Sequence, residues 1–362
     1  MSTKKHREAY RENSGQNRSV FKSRKKKKLQ KKRRRLRMIF ALEMLLIVAL
    51  VIGAVGVYQL SRIKTCTVDL EGIRANDVND PNMEDYETFV VFGVDSRANE
   101  LEKNTRSDSI ILVSIHRKTK EAKILSVYRD TYVNIADHGY TKMTHAYAYG
   151  GPELAISTLN TNFDLNIQDF VTVNFSAVAN LVDKVGGVEI DIQEDELKYV
   201  NSYAKDVAKI NGTKYHKLTK AGVQTLDGTQ ATGYCRVRYT AGGDFTRAER
   251  QRTVLMGVFD KMKKSSPVVW YQVADEMMPQ IYTSYASKEI IQMGTWFPSL
   301  DIKDSQGFPF DKETPTINRM SVVTAEDLSS NVTKMHEYLY GTKDYVPTDT
   351  VQSYSNEIAA RH

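Results

Sequence analysis

The sequence predicts an α/β domain in which helices alternate with the strands of a central sheet. Short apolar runs of the length of buried strands, such as TFVVFGV at 88–94, are bounded by polar turn residues. Further along the chain, predicted helices alternate with predicted strands, which is typical of layered α/β folds. With 362 residues, 41% of them hydrophobic and 26% charged, the chain can bury a sizeable core.

Positive charge is concentrated at the amino terminus. Residues 1–37 hold 17 lysines and arginines against two glutamates, Glu8 and Glu12, which gives a net charge of +15. Since the whole chain carries +7, the remaining residues carry −8. An acidic body with one basic tail is not the profile of a protein that coats itself with nucleic acid. We expect residues 1–37 to be a disordered segment held at anionic lipid, with DNA binding as the weaker alternative.

An apolar stretch directly after the basic tail predicts a membrane anchor. Residues 38–57, MIFALEMLLIVALVIGAVGV, contain one ionisable side chain, Glu43. At about 1.5 Å per residue, such a helix spans the roughly 30 Å hydrocarbon core of a bilayer. We assign the anchor to residues 38–58. Because basic residues flank its amino-terminal end, we expect the amino terminus in the cytoplasm and the residues after the anchor outside the cell. A cleaved signal peptide is the alternative, but the apolar run is long for one.

A polar stalk, residues 59–87, leads to three predicted strands at 88–94, 109–115 and 122–127 that can form an antiparallel meander. The next predicted elements are a helix at 152–163, a strand at 170–174, a helix at 176–185, a glycine turn and a strand at 188–192. Residues 195–206 are expected to be a polar excursion and residues 218–232 a mixed helical stretch. A long helix at 245–264 follows, then helices near 271–278, 288–297 and 329–340 and a strand near 320–323.

In such a meander, the first strand ends, the second begins and the third ends at one edge of the sheet. The charged residues expected there, which we call the strand-edge cluster, are Asp95, Arg106, Asp108, Arg129 and Asp130. Carboxylates beside arginines suit a divalent cation that bridges a phosphate, since magnesium binds through one or two carboxylates plus the phosphates. Metal-free ion pairs between the aspartates and arginines explain the same pattern equally well.

A second group of arginines lies at residues 234–252, YCRVRYTAGGDFTRAERQR, which we call the arginine segment. Its arginines are Arg236, Arg238, Arg247, Arg250 and Arg252. In an extended strand, the two-residue period would place Arg236 and Arg238 on one face. In a helix that begins near residue 245, Arg247 and Gln251 would share a face. Arginine binds phosphate oxygens bidentately and keeps its charge, so the segment is a candidate anion site. A solvated charged helix is the simpler interpretation of the segment alone.

Residues 141–151, TKMTHAYAYGG, contain Lys142 and His145 just before the first predicted helix. Lys142 is either a phosphate contact or a surface lysine, and a lone histidine such as His145 is more often structural than catalytic. Cys66 and Cys235 would both lie outside the membrane, where they could form a disulfide or remain thiols. The sequence has no GxxxxGK[ST] phosphate loop, no nucleophile elbow and no cysteine or histidine cluster with zinc-site spacing.

An ordered set of motifs resembles one known family. The motifs are FGVDSR, RSDSIILVSI, SVYRDTYV, KMTHAYAYGG, GGVEIDI and LDGTQATGYCRVRYTAGGDFTRAERQR. Placed after a single anchor and covering roughly residues 88–264, they look like the LytR-CpsA-Psr family of bacterial cell-wall glycopolymer transferases. One departure from the commoner family pattern is residues 233–235, GYC, which come directly before RVR. The resemblance implies a three-layer α/β/α extracytoplasmic domain with a mixed central sheet at residues 88–345, followed by a polar tail at 346–362.

The resemblance also implies roles for the charged residues. Asp95 and Asp108 would be the magnesium ligands. The catalytic groups would be these two aspartates, Arg129 and Arg238. One of the two aspartates would take the proton of the acceptor hydroxyl. The residues implied to contact a pyrophosphate are Arg106, Arg129, Lys142, Arg236, Arg238, Arg247 and Gln251. Apolar faces of the helices after residues 152 and 245 would border a groove for a lipid.

The activity that the resemblance implies is that of a magnesium-dependent phosphotransferase with one membrane span and an extracellular catalytic domain. Family members move a glycopolymer, such as teichoic acid or capsular polysaccharide, from a polyprenyl-pyrophosphate carrier to a peptidoglycan hydroxyl and form a phosphodiester. The alternatives are a pyrophosphatase that uses water, a non-catalytic transcriptional attenuator, and a module that binds lipid phosphate without turnover. We expect no nucleic-acid partner, because the basic tail has no DNA-reading fold.

Overall fold

The computed structural model describes residues 56–65, 72–94, 101–174 and 177–361. The predictions for the basic tail, for residues 38–55 of the anchor with Glu43, for Cys66 and for Asp95 fall outside the described residues. Among the described residues, no helix is both long enough and apolar enough to cross a membrane. The chain divides into two compact units, residues 1–60 and residues 61–362. Residues 56–60 of the first unit are helical, and the second unit contains all the described strands.

The elements of the second unit follow in chain order. The strands are β1 (Lys64–Thr65), β2 (Tyr86–Val94), β3 (Ser107–His116), β4 (Glu121–Val127), β5 (Tyr132–Ile135), β6 (Gly139–Lys142), β7 (Phe170–Asn174), β8 (Val188–Ile192), β9 (Gly222–Leu226), β10 (Ile281–Thr283), β11 (Asp301–Phe308), β12 (Lys312–Glu313), β13 (Thr316–Ile317), β14 (Met320–Ser321) and β15 (Thr324–Ala325). The α-helices are α1 (Met143–Phe163), α2 (Ala177–Lys184), α3 (Glu194–Asn211), α4 (Gly228–Cys235), α5 (Gly243–Lys263), α6 (Pro267–Met277), α7 (Ser287–Trp296), α8 (Leu328–Tyr340) and α9 (Asp349–Ala359).

Seven strands form one mixed sheet in the order β1-β10-β7-β2-β3-β4-β11. Strands β2, β3 and β4 pair antiparallel and are the predicted meander. Strand β7 adds to β2 in parallel, and β11 adds to β4 in parallel. The prediction of a mixed central sheet is therefore confirmed. Strands β7 and β8 coincide with the predicted strands at 170–174 and 188–192, and the predicted strand at 320–323 is reduced to the two residues of β14.

Helices cover both faces of this sheet. Successive side chains of a strand point to opposite faces, so each strand of the meander contributes to two cores. On one face, Val90 and Phe92 of β2 pack in the main core with apolar residues of α1, α8 and α9. On the other face, Phe89 of β2 lies in a smaller cluster with Phe259 of α5 and Trp296 of α7.

Two stretches between β8 and α5 differ from the prediction. Residues 195–206, expected to be a polar excursion, belong to α3, whose Val200, Ala204 and Val207 are buried at helical spacing. Charged residues between these positions hide the narrow apolar stripe in the sequence. Residues 218–232, expected to be mixed helical, contain β9, which pairs antiparallel with β8, and the first half of α4. These elements enclose a second core.

The segment predicted as a polar tail, residues 346–362, contains helix α9. Its Val351 and Ile358 are buried in the main core. Asp164 holds the start of the helix, because its carboxylate accepts hydrogen bonds from the backbone N–H of Thr348 at 2.8 Å and from the Thr348 hydroxyl at 2.7 Å. The prediction was wrong because the two buried positions lie seven residues apart in a polar sequence, so the apolar stripe is only one residue wide.

Helix α1 extends the predicted helix at 152–163 towards the amino terminus across a kink. Gly151, with φ 66° and ψ −158°, breaks the helical geometry, and Pro152 begins the second helical segment as predicted. The apolar face of this second segment is covered by the main core. The lipid groove that the resemblance implies beside this segment stays a prediction.

Candidate active site

A cleft opens where β3 and β4 meet the start of α5. Its charged and amide-bearing lining residues are Asp108, Arg129, Asp130, Asp244, Arg247 and Gln251. Three of these side chains belong to the strand-edge cluster, because the antiparallel register brings the start of β3 and the end of β4 to one edge. The other three belong to the arginine segment. The cleft therefore joins the two groups of charged residues that the sequence singles out.

On the sheet side of the cleft, Arg129 is the central cation. Its side chain is 16% exposed and forms an ion pair and hydrogen bond with Asp108. Its Nε lies 3.5 Å from Asp130 Oδ1, and Lys142 Nζ lies 3.2 Å from the same oxygen. Two cations and two carboxylates thus alternate along this edge.

On the α5 side of the cleft, Arg247 is the corresponding cation. Its side chain is 6% exposed, and one terminal nitrogen lies 3.3 Å from Asp244 Oδ1. Arg238 Nε lies 3.4 Å from the same oxygen. The turn before α5 takes positive φ at Gly242 (88°) and Gly243 (54°), a region that favours glycine. Two glycines therefore let the chain turn sharply enough to set Asp244 and Arg247 on the first turns of α5.

Several buried polar atoms of the cleft have no hydrogen-bond partner among the described residues. They are Arg129 Nε, Asp130 Oδ1, Asp244 Oδ1 and Arg247 Nε. Arg129 Nε and the two carboxylate oxygens lie 3.2–3.5 Å from opposite charges, but these ion-pair contacts lack hydrogen-bond geometry. A buried polar group without a partner costs roughly 1–3 kcal/mol, so these atoms favour a ligand that supplies the missing bonds. An oxyanion between Arg129 and Arg247 would satisfy both Nε–H groups.

The structure brings some of the predicted pyrophosphate contacts to the cleft and leaves others outside its lining. Arg129, Arg247 and Gln251 line the cleft, while Lys142 and Arg238 reach it through Asp130 and Asp244. Arg106 is exposed and lies beside His145.

Arg236 takes a different position from the one that a strand would give it. It ends helix α4 with φ −98° and ψ −9°, so the expectation that it shares the face of a strand with Arg238 is wrong. Its exposed guanidinium lies over the ring of Tyr203 on α3, 5.7 Å from the centroid.

Sequence reasoning missed the position of Asp244 and Phe245 in the site. Both line the cleft, and Asp244 lies within 3.4 Å of two arginines. Asp244 follows two glycines in the arginine segment, and no role in the site is assigned to it from the sequence. A carboxylate in the first turn of a helix, three residues before an arginine, was the available signal.

His145 lies next to the cleft in a cationic environment. Its Nδ1 is 2.8 Å from the hydroxyl of Thr141. Burial lowers the pKa of this histidine, and the positive charges of Arg106, Lys142 and Arg129 lower it further. The ring is therefore neutral at pH 7.

Cys235 is enclosed in the second core. Burial raises the pKa of its thiol to about 12, so it remains protonated at neutral pH. Cys66 lies outside the described residues, so the structure does not test a disulfide between the two.

The LytR_cpsA_psr family model matches residues 58–349. Among curated proteins, the polyisoprenyl-teichoic acid–peptidoglycan teichoic acid transferase TagT of Bacillus subtilis is 31% identical over 264 residues, covering 70% of this chain and 79% of TagT. The transferase TagU of Enterococcus faecalis, named for the same activity, is 28% identical over 293 residues, covering 78% of this chain and 91% of TagU.

A solved structure of YwtF (TagT) from Bacillus subtilis, described with bound octaprenyl pyrophosphate lipid, has the same fold. It superposes with a TM-score of 0.55 and 26% identity and covers 76% of this chain and 100% of the solved chain.

Proposed function

Because the chain belongs to the LytR-CpsA-Psr family, we propose that it transfers a glycopolymer from a polyprenyl-pyrophosphate carrier to a hydroxyl of peptidoglycan and forms a phosphodiester. One observation carries the proposal. Two nearly buried guanidinium groups, those of Arg129 and Arg247, come from separate parts of the chain and face one cleft with their Nε–H groups unpartnered. The names of the TagT and TagU relatives support teichoic acid as the class of polymer.

The cleft suits a pyrophosphate because its cations come from both sides. Arg129 and Arg247 would each donate planar, charge-assisted hydrogen bonds to phosphate oxygens, and Lys142 and Arg238 would add positive charge. Because the side chains of Arg129 and Arg247 are only 16% and 6% exposed, their preorganised charges would stabilise a transferring phosphoryl group more strongly than charges in water. Gln251, one turn after Arg247, adds an amide to the same wall.

In the proposed reaction, the oxygen of the acceptor hydroxyl forms a bond to the phosphorus that carries the glycopolymer. The bridging P–O bond breaks, and polyprenyl phosphate leaves with the electron pair. A carboxylate takes the proton that the hydroxyl loses, and we assign this role to Asp108, which lines the cleft. The arginines hold the negative charge on the phosphoryl oxygens and on the leaving phosphate throughout.

Magnesium fits this site as a cofactor bound together with the phosphates. Four cationic side chains, of Arg129, Lys142, Arg238 and Arg247, face three carboxylates, so their excess positive charge is small. A divalent cation would neutralise the remaining charge of a bound pyrophosphate. Asp108 would hold it, together with Asp95 as the family resemblance implies. Magnesium commonly binds through one or two carboxylates and takes its other ligands from phosphate and water.

The proposed reaction requires the catalytic domain to lie at the outer face of the membrane, where the lipid-linked substrate and peptidoglycan are both within reach. The apolar residues 38–58 and the basic flank before them support a single membrane span with the amino terminus in the cytoplasm and the catalytic domain outside the cell. Protease added to intact cells is expected to remove the catalytic domain and leave the basic tail protected. Protection of the whole chain would contradict this topology.

The activity is testable with the full chain in detergent, a polyprenyl-pyrophosphate-linked glycopolymer, peptidoglycan and magnesium. We expect polymer bound to peptidoglycan through a phosphodiester, and a loss of about 100-fold for Arg129→Ala or Arg247→Ala, since each removes a donor that stabilises the transferring phosphoryl group. Chelation of magnesium should abolish transfer, and its return should restore it.

The matched control is Arg117→Ala. Arg117 lies just beyond the opposite end of β3, exposed and paired with Glu87 at 3.6 Å, so its loss should leave the rate unchanged. Full activity of the Arg129→Ala variant would refute the proposal. Release of polyprenyl phosphate with no polymer on peptidoglycan would instead identify a pyrophosphatase.

A further inference from the structure

Beside the cleft lies an exposed aromatic surface formed by His138, His145 and Tyr149, which we call the Tyr149 surface. The rings of His138 and Tyr149 stack with centroids 4.4 Å apart and an interplanar angle of 25°. The rings of His145 and Tyr149 are 5.8 Å apart. Tyr149 is 50% exposed, and His138 is exposed as well. A large, flat and partly apolar ring is thus held in place at the surface without being covered.

Local structure holds these rings in position. His145 and Tyr149 are four residues apart in the first helical segment of α1, so they share one face. The kink at Gly150 and Gly151 ends this segment directly after Tyr149. His138 comes from the turn between β5 and β6, and β6 leads directly into α1. The hydrogen bond between Thr141 and His145 ties the end of β6 to the helix.

The start of α1 connects the Tyr149 surface to the cleft. The backbone N–H of Thr144 donates to the carbonyl oxygen of Arg129 at 2.9 Å, so His145 is the next residue after a direct contact with the cleft. Lys142, two residues before Thr144, has its Nζ 3.2 Å from Asp130. Lys142 and His145 are therefore the side chains of this segment nearest in sequence to the contacts with the cleft.

We propose that the Tyr149 surface binds a sugar ring of the acceptor glycan and presents its hydroxyl to the cleft. A pyranose ring has an apolar C–H face and a polar edge, which match the face of Tyr149 and the neighbouring histidine and lysine side chains. The inference rests on the proposed function, which requires a saccharide hydroxyl to approach the phosphorus.

Reaction geometry favours the acceptor over the donor at this surface. In phosphoryl transfer, the attacking and leaving oxygens lie roughly in line on opposite sides of the phosphorus. Phe245 and Ala248 give the α5 side of the cleft an apolar lining suited to the polyprenyl phosphate that leaves. The attacking hydroxyl then enters from the opposite side, where Lys142 and His145 lie.

A purely structural role explains the exposure less well. If the His138–Tyr149 stack served only to pack the β5–β6 turn against α1, the tyrosine would be expected to bury most of its ring. The adjacent Tyr147 shows the contrast, since it is fully buried and its hydroxyl bonds within the core.

The test compares Tyr149→Ala with the matched variant Tyr149→Phe in the full chain, in detergent. Initial rates are measured against the concentration of soluble peptidoglycan glycan strands at saturating lipid-linked donor. Loss of one ring stack should raise the acceptor KM of Tyr149→Ala about fivefold to tenfold, and Tyr149→Phe should keep a KM close to that of the unaltered protein. The donor KM and the rate of donor hydrolysis without acceptor should not change, and unfolding curves should show that both variants remain folded.

Three outcomes would overturn the inference. An unchanged acceptor KM in Tyr149→Ala would show that the ring takes no part, and an increased donor KM would assign the surface to the sugars of the donor. An equal fall in transfer and hydrolysis would indicate a structural role. If the unaltered protein shows neither transfer nor hydrolysis, the proposed function fails.

In that case, saturation-transfer NMR with the same glycan strands tests the binding surface by itself. Equal binding by the unaltered protein and Tyr149→Ala, or no binding by either, would refute the inference.

Discussion

Two arginines one helical turn apart, Arg247 and Arg250, have different surroundings. All three guanidinium nitrogens of Arg250 donate hydrogen bonds. Nε donates to Glu196 at 2.8 Å, and the two terminal nitrogens donate to the carbonyl oxygen of Val237 at 3.1 Å and to the hydroxyl of Thr240 at 2.6 Å. Arg247 keeps an unpartnered Nε in the cleft. Arg250 therefore ties the arginine segment to α3, whereas Arg247 remains available to a ligand.

This difference predicts opposite effects of two alanine variants. Arg250→Ala leaves Glu196, which is 8% exposed, as a buried and uncompensated charge, so we expect it to lower the free energy of unfolding by about 3 kcal/mol. Arg247→Ala should change that free energy by less than about 1 kcal/mol, because Asp244 keeps Arg238 as a second cation at 3.4 Å, while transfer activity is lost. Denaturant unfolding of both variants measures the stabilities. Equal destabilisation would contradict the assignment.

At this scale the sequence predicts the residue types of the site better than their partners. Helical spacing grouped Arg247 with Gln251, and both line the cleft. The partner of Arg250 lies 54 residues earlier in the chain, in a segment that looked like a polar excursion, so no local pattern indicates the pair. Arg236 was misplaced because the pattern RVR suits a strand, whereas the end of α4 continues through it.

At the scale of elements, the spacing of apolar residues and the length of apolar runs decide which strands and helices can be predicted from the sequence. The meander was predictable because β2, β3 and β4 are apolar runs between polar turns, and its topology alone places Asp108 and Arg129 at one edge. Helices α3 and α9 were not predictable from the sequence, because few of their residues are apolar and long-range packing stabilises them. Helix α9 is thus part of the domain core despite its polar sequence.

Substitutions in α9 test whether the helix contributes to the core. Ile358→Ala should lower the free energy of unfolding by roughly 2–4 kcal/mol, since Ile358 is 3% exposed and the change leaves a cavity. Asn356→Ala, at an exposed position two residues earlier, is the control and should change stability by less than about 0.5 kcal/mol. Denaturant unfolding of the full chain gives both values. Equal stability of the two variants would show that the segment is the polar tail that the sequence suggests.

At the scale of the whole molecule, the cleft exists because the fold brings two distant segments together. Arg129 lies two residues after the end of β4, and Arg247 lies on α5, which packs on the opposite face of the sheet from α1. A resemblance based on motifs in order along the chain names both segments, but it gives neither the distance between them nor the carboxylate of Asp244 beside them. Tertiary packing supplies these facts. If a single ligand contacts both segments, its binding should couple them energetically.

A double-mutant cycle on Arg129 and Arg247 measures this coupling. We expect each alanine variant to weaken the binding of a short-chain polyprenyl pyrophosphate, and the double variant to weaken it by less than the sum of the two losses. Once one guanidinium is gone, the pyrophosphate is held less firmly for the other, and residues that share one ligand couple by about 0.5–3 kcal/mol. The control cycle pairs Arg129 with Arg117, which lies beyond the opposite end of β3, and should be additive within about 0.5 kcal/mol. Calorimetric titration of the full chain in detergent gives all the affinities, and additivity of Arg129 with Arg247 would mean that the two arginines do not hold the same pyrophosphate.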